Sequence, residues 1–324
     1  MRLARFTPTG HQTPRPGIVT GTEITDLSAA ASSAGGVHEL LSVPTDTLHR
    51  SLTHAPRYDL TDVRLHPPVP TPQKFFAIGL NSHSHRRELT RAARTDRQLL
   101  RMGAGYRLAH PHPELPWAAA KAVTAISGPH DPIIHPPAVT TLDYEGELAV
   151  VLARDLHAAN DATAAAAIGG YLITNDLTVH EWHDNPVAIG LAKSYPSHGP
   201  TGPWLTTPDD IDFDRLTLHT TVNGHIRQHA HLAADLRASP VELIARLSHY
   251  CALTAGDIIA CGTPAGTGRA THRYLQPGDT ITVTIDDLGA ITNTVTQPPT
   301  TTPESSNGSP RPARGSPCSP PLSD

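Results

Sequence analysis

Much is scarce in this chain, and each scarcity excludes something. Its three cysteines, Cys251, Cys261 and Cys318, stand far apart with no Cys-x-x-Cys. That argues against a disulfide framework or a structural zinc site and leads us to expect reduced thiols in a cytoplasmic protein. No stretch approaches the ~18 apolar residues a membrane helix needs. Met1-Arg-Leu-Ala-Arg-Phe-Thr-Pro8 lacks the continuous apolar core of an export signal, so neither membrane nor secretion is expected. With a formal charge of −5 and aromatics at 4%, the chain offers no basic, aromatic-studded stripe, and a nucleic-acid partner is not expected. Lysine is rarer still: of 25 basic residues only Lys74, Lys121 and Lys193 are lysine. A chain that uses arginine for surface charge can keep lysine where a compact, pKa-tunable ammonium is needed, with chance as the alternative.

What is present suggests a globular α+β protein, mostly β, with awkward ends. The 324 residues suffice for a sizeable core, and the 32 prolines crowd toward the termini. Residues 1–70 read as a small β-rich subdomain with a helical patch near 45–52, closed by Pro67, Pro68, Pro70 and Pro72. Residues 71–296 read as the main domain. From Gln297 the chain is Pro, Ser, Thr and Gly, a tail expected to be disordered. Within the main domain Lys74–Leu80 reads as a strand. Asn81 or Ser82 could cap a charged helix running to Leu100, after which glycines and prolines suggest a mobile lid. Asp161 can cap an alanine-rich helix stopping at Gly169-Gly170, and Tyr171–Asp176 reads as a buried strand. Asn223-Gly224 marks a hairpin. Ser239-Pro-Val-Glu242 is a capping box opening the clearest helix. Asp257–Gly262 is a buried strand and Thr280–Val295 a hairpin turning at Asp287–Gly289.

The chemistry centres on Thr141-Leu-Asp-Tyr-Glu-Gly-Glu-Leu-Ala-Val-Val-Leu152. In a strand, residues two apart share a face, so Glu145 and Glu147 project side by side. Two carboxylates that close repel, and a cation between them relieves it. The bland alternative is an edge strand with two solvated glutamates. Asp176, at the end of its own strand, is the third hard ligand if the two strands are neighbours, and three carboxylates suit Mg²⁺, Mn²⁺ or Ca²⁺. The 21 histidines raise a competing transition-metal reading. Yet pairs such as His83/His85, His110/His112, His180/His183 and His229/His231 mostly sit in loops without a carboxylate at ligand spacing. His85 and Glu88 lie three apart on the predicted helix, where the carboxylate can fix the imidazole tautomer and make a general base; a surface ion pair is the alternative. Lys193 is a candidate electrophile or a solvated loop charge. Cys261-Gly-Thr-Pro-Ala-Gly-Thr-Gly268 lacks both the Lys-Ser/Thr of a phosphate loop and the spacing of a dinucleotide fingerprint, although its amides and Thr263 could hold a substrate carboxylate.

Taken in order, Gly79-Leu-Asn-x-x-x-His85-x-x-Glu88, Asp143-Tyr-Glu-Gly-Glu-Leu148, Asn175-Asp176, Lys193-Ser, Gly202-Pro-Trp204, Val222-Asn-Gly224 and Gly262-Thr-Pro-Ala-Gly266 resemble the fumarylacetoacetate hydrolase family across residues 70–296. The resemblance implies a mixed β-roll behind a small N-terminal subdomain and a homodimer. It implies a divalent metal on Glu145, Glu147 and Asp176, and a water-activating His85–Glu88 dyad on a closing lid. Lys193 and Thr263 would lie near the substrate, and Lys121 matches a lysine the family carries before the metal strand. The chain departs from the pattern at His180 and His183, where the family commonly has arginine and glutamine contacting the substrate, at Ala122 in place of a proline, and in a longer lid.

Together these readings lead us to expect a Mg²⁺- or Mn²⁺-dependent enzyme acting on a small oxo acid. Hydrolysis of a C–C bond in an acylpyruvate-like or β-dicarbonyl acid through a metal-stabilised enolate is the first expectation. Decarboxylation or tautomerisation of a 2-oxo acid on the same site is the second. A catalytically drifted metal- or ligand-binding accessory protein, motivated by His180 and His183, is the alternative of another class.

Overall fold

The computed structural model describes residues 1–30, 36–94, 117–184 and 188–298, and over these it is a mixed fold made mostly of strands. The first part of the chain supplies β1 (Arg2–Pro8), β2 (Arg15–Thr20), β3 (Glu23–Asp26), α1 (Thr45–Leu52), β4 (Arg57–Asp59) and β5 (Val63–His66). Beyond the proline-rich crossover come β6 (Phe75–Ile78), α2 (His83–Ala92), β7 (Ala118–Lys121), β8 (Ile126–Ser127), β9 (Ile133–Ile134) and β10 (Leu142–Asp143). The long neighbours β11 (Gly146–Leu152) and β12 (Ile168–Asn175) follow, then β13 (Thr178–Val179), β14 (Gly199–Thr206), β15 (Thr217–Val222) and β16 (His225–His231). The last strands are β17 (Ile258–Ala260), β18 (Thr280–Ile285) and β19 (Gly289–Thr296).

A 12-stranded sheet runs β4-β3-β2-β1-β14-β12-β11-β17-β6-β7, with β5 on β1 and β8 on β14. Because β1 bonds to β14, the N-terminal strands extend the same sheet that carries β11. A five-stranded sheet, β16-β15-β18-β19-β9, packs over it. The edge-strand reading of Glu145 and Glu147 is corrected here: β11 lies inside the large sheet, between β12 and β17, with all 7 residues buried. Its alternation serves two cores. Leu148, Val150 and Leu152 pack with Leu218, Val222, Val283 and Ile285 of the second sheet, whereas Ala149 and Val151 pack with Leu3, Leu27, Leu40 and Leu48 from the N-terminal part. A strand buried on both faces reads as a continuous apolar run, which is what Leu148–Leu152 is.

Local signals formed where they were expected. The predicted helical patch is α1, and Asn223 and Gly224 take φ of 52° and 76°, the left-handed pair a two-residue hairpin turn requires. In the helix Pro240–Ser248, Ser239 and Glu242 cap each other's backbone, and Leu243, Ile244 and Leu247 are buried. Ser239→Ala should lower stability by about 1 kcal/mol, measured by denaturant unfolding. Two boundaries differ. The helix Asp161–Ala167 is capped by the Asn160 side chain, which accepts from Thr163 N, so Asp161 occupies the first turn. Gly169 and Gly170 do not stop it in a loop but lie inside β12; a Cβ on Gly170 would sit 2.6 Å from the Thr206 oxygen of β14, so close strand packing is what needs glycine there. Helix α2 ends at Ala92, short of Leu100. Of the segment between Glu88 and Pro116 read as a lid, residues 95–116 lie outside the described residues, as does the tail beyond 298.

Candidate active site

The register between β11 and β12 sets Gly146 opposite Asn175, so Asp176, one residue past β12, comes beside Glu145. Asp176 N donates to Glu145 O at 2.8 Å, and Asn175 Oδ1 accepts from Glu145 N at 3.0 Å. Strand β17 delivers the third support: Gly262 N, just beyond it, donates to Glu147 Oε2 at 2.7 Å. Glu145, Glu147 and Asp176 thereby present carboxylate oxygens that all lie within 4.8 Å of one another.

Two lysines offset part of this charge. Lys193 Nζ donates to Glu145 Oε2 at 2.8 Å, Asp176 Oδ2 at 2.5 Å and Thr178 Oγ1 at 2.8 Å. Lys121, fully buried, donates to the Lys193 and His198 carbonyls. Its Nζ also lies 2.9 Å from Asp176 Oδ1, an ion-pair distance without hydrogen-bond alignment, since that oxygen has no hydrogen-bond partner. Burial pushes Asp176 upward, but Lys121 and Lys193 outweigh it and hold the carboxyl below its ordinary range. Glu147 is driven well above its ordinary value by burial and by the neighbouring Asp176 and Glu145, which the Lys193 charge and the Gly262 N–H offset only in part. Burial pushes Lys193 down, and Asp176 and Glu145 more than reverse it. Three hard carboxylates converging against two ammonium groups fit a divalent cation held by Glu145, Glu147 and Asp176.

Helix α2 brings the second element. Ser82 caps it by accepting from His85 N at 3.1 Å, and Asp235 clamps its first turn through Ser82 Oγ and Ser84 N. His85 Nδ1 stands 3.2 Å from Glu88 Oε2, and Glu88 Oε1 accepts from Gly266 N at 2.7 Å. The glycine-rich loop thus fixes the carboxylate that orients the imidazole. Gly266 takes φ of 106°, and a Cβ there would collide with the Arg227 carbonyl oxygen. Gly266→Ala should therefore cost about 3 kcal/mol or more and lower the melting temperature by several degrees.

A cavity of about 90 Å³ joins these groups, lined by His85, Glu145, Glu147, Asp176, Lys193 and Thr263, with His180, His183, Trp117 and Arg269 also on its wall. Lys121 stands behind Asp176 and does not line it. The Thr263 hydroxyl donates to Gly146 O at 3.1 Å and accepts from Gln228 Nε2 at 2.8 Å, which ties the loop to β11. His180 Nε2 lies 2.8 Å from Asp143 Oδ2. Asp143 already accepts from the backbone N–H groups of Tyr144, Gly268 and Arg269, so we assign Nε2 as the proton-bearing nitrogen of His180. Burial lowers the His180 pKa to about 3 and that of His183 well below its ordinary value, with Lys193 and Arg269 adding to the effect, so both imidazoles are neutral. Burial pushes Asp143 up to about 6 against those three N–H donors.

Asp143, Gln228 and Arg269 carried no assigned role in the sequence. The available signal was position: Asp143 opens the Asp-Tyr-Glu-Gly-Glu motif, and Arg269 follows the glycine-rich loop.

Residues 74–296 match the fumarylacetoacetate (FAA) hydrolase C-terminal family. The chain belongs to this family. It is 34% identical to the oxaloacetate tautomerase YisK of Bacillus subtilis over 244 residues, 74% of this chain and 75% of that protein. Its fold is similar to maleylpyruvate hydrolase of Sphingobium sp. SYK-6, crystallised in complex with manganese(II) and pyruvate, with TM-score 0.72, 29% identity and coverage of 92% of this chain and 99% of that one. Fumarylacetoacetate hydrolase of Exiguobacterium antarcticum gives TM-score 0.74, 28% identity and coverage of 92% and 100%.

Proposed function

We propose that the protein is a divalent-metal-dependent hydrolase that cleaves a C–C bond of an acylpyruvate-like 2-oxo acid. The observation that carries this reading is that the three convergent carboxylates and His85, whose Nδ1 stands beside Glu88, line one cavity. The manganese(II) and pyruvate bound to the Sphingobium hydrolase support the ligand class. Held by Glu145, Glu147 and Asp176, Mg²⁺ or Mn²⁺ supplies Lewis-acid polarisation of the oxo-acid oxygens, and Ca²⁺ fits the same donors. The remaining work belongs to the chain. His85, oriented by Glu88, takes a proton from water as the water oxygen bonds to the acyl carbon. The bond from that carbon to the neighbouring methylene breaks, its electron pair leaving on the pyruvate fragment as an enolate. His85 returns the proton to the former methylene carbon, which becomes the methyl group of pyruvate, while the acyl carbon is released as a carboxylic acid. Lys193, already bonded to Glu145 and Asp176, contributes positive charge beside the developing enolate.

A second reading, tautomerisation of oxaloacetate, draws on the 34% identity to a named oxaloacetate tautomerase. In it the same dyad moves a proton between carbon and oxygen and no water adds. Product analysis by NMR separates the two. With acetylpyruvate and Mn²⁺, acetate and pyruvate in equal amounts support hydrolysis. Accelerated enol–keto exchange of oxaloacetate without acetylpyruvate cleavage supports the tautomerase. No turnover of either with Mg²⁺ or Mn²⁺ favours an accessory ligand-binding role. The reading includes a homodimer, which sedimentation equilibrium would detect.

A further inference from the structure

Two histidines meet on the outer side of the second sheet, away from the cavity. His219 of β15 and His229 of β16 are directly opposite in the strand register, and their ring centroids lie 4.5 Å apart. His219 Nδ1 and His229 Nδ1 are 3.0 Å apart, so one carries the hydrogen and donates to the other. In sequence His229 pairs with His231; the hairpin gives it His219 across the strands instead. Neither ring belongs to a core. His229 is exposed and His219 half-buried, while their neighbours Gln228 and Thr220 are buried. Gln228 accepts from Gly146 N and donates to Thr263, so the catalytic cavity lies toward the other face of the same hairpin. Among the described residues no other two histidines are bonded nitrogen to nitrogen.

We propose that His219 and His229 form a second metal site, a two-nitrogen chelate for Cu²⁺ or Ni²⁺ on the hairpin surface. Neutral imidazole is a preferred ligand of these ions, whereas the Glu145, Glu147 and Asp176 set is all oxygen and suits harder ones. The spacing selects the geometry. Two nitrogens about 2.0 Å from one ion and at right angles stand roughly 2.8–3.0 Å apart, and in a tetrahedron about 3.3 Å. The observed 3.0 Å therefore matches adjacent corners of a square-planar or tetragonal ion and is short for tetrahedral Zn²⁺. Paired strands hold both rings, so the second nitrogen meets an ion bound to the first at high effective concentration. A small turn of each ring aims both lone pairs at one point in solvent, and the ring with hydrogen on Nδ1 moves it to Nε2. Water takes the remaining corners. Occupied, the pair ties β15 to β16 behind the Gln228 contacts to Thr263 and Pro264 that hold the glycine-rich loop.

Electron paramagnetic resonance of the full chain, free of any polyhistidine tag and in excess Mg²⁺, tests this with Cu²⁺ added up to one equivalent. The wild type should show the splitting pattern of two coordinated imidazole nitrogens. His219→Thr and His229→Thr each keep a strand-forming residue at a surface position, so both should fold. Each should lose the two-nitrogen pattern and bind Cu²⁺ about tenfold or more weakly by isothermal titration, because the chelate is broken. His225→Thr, at the exposed start of β16, should stay within about twofold of wild type. The wild type alone gives a second reading that no folding defect can obscure. Among its 21 histidines, Cu²⁺ should first broaden the NMR signals of His219 and His229. A two-nitrogen pattern that survives in both variants overturns the assignment, as does Cu²⁺ held by oxygen alone in the wild type. Broadening that starts at other histidines overturns it too. So does equal weakening by His225→Thr, which would make the uptake an adventitious property of surface histidines.

Discussion

Asp176→Ala should abolish stoichiometric Mn²⁺ binding, seen as loss of the bound-metal signal by elemental analysis after gel filtration. Asp176 is one of three charged ligands, so its removal should exceed the ~10–100-fold that losing a supporting group costs a metal site. The substitution also strips Lys121 and Lys193 of a shared partner. Leaving buried ammonium groups undercompensated costs about 3–5 kcal/mol, so a lower melting temperature is expected alongside the metal loss. Asp176→Asn separates the two effects. It keeps the volume and a hydrogen-bond acceptor for Lys193 but not the charge, and it should fold while binding Mn²⁺ at least tenfold more weakly. Unchanged metal content in a folded Asp176→Asn would mean that the three carboxylates are not the site.

His85→Ala is the second large effect. A positioned general base is worth roughly 10²–10⁴ in rate, and that is the expected loss in kcat for acylpyruvate cleavage. Metal content should not change, because His85 contacts Glu88 and not the three carboxylates. Glu88→Gln should cost less in rate, since the imidazole remains and only its orientation and basicity suffer. Gly266 N would retain an acceptor in the amide oxygen, which keeps the glycine-rich loop in place. Full cleavage activity in His85→Ala would move the base to another group.

The parts of the protein legible in the sequence are those whose cause is local. Asn223-Gly224 dictates its turn because both residues tolerate positive φ, and Ser239-Pro-Val-Glu242 caps its helix with groups three residues apart. The acidic triad was half legible. Glu145 and Glu147 are two apart, but their meeting with Asp176 depends on β11 pairing with β12, which no spacing within either strand reveals. The same apolar run is compatible with an exposed edge or a doubly buried strand. Only the arrival of β17 on the far side of β11 made it central. Asp143 was opaque for a similar reason. Its carboxylate is defined by donors 125 and 126 positions away, at Gly268 and Arg269. The commitment of Lys121 to the Lys193 and His198 carbonyls likewise spans 72 and 77 residues. Arg269 looked like one more surface arginine among many, and only its burial against Asp184 distinguishes it.

The most direct test is acylpyruvate and oxaloacetate turnover by one preparation, first as purified, then stripped of metal by chelator and dialysis, then after addition of Mn²⁺ or Mg²⁺. Turnover of at least one substrate that is lost on stripping and restored by about one equivalent of added metal is the predicted result. Undiminished turnover by protein shown by elemental analysis to hold no divalent metal would contradict it.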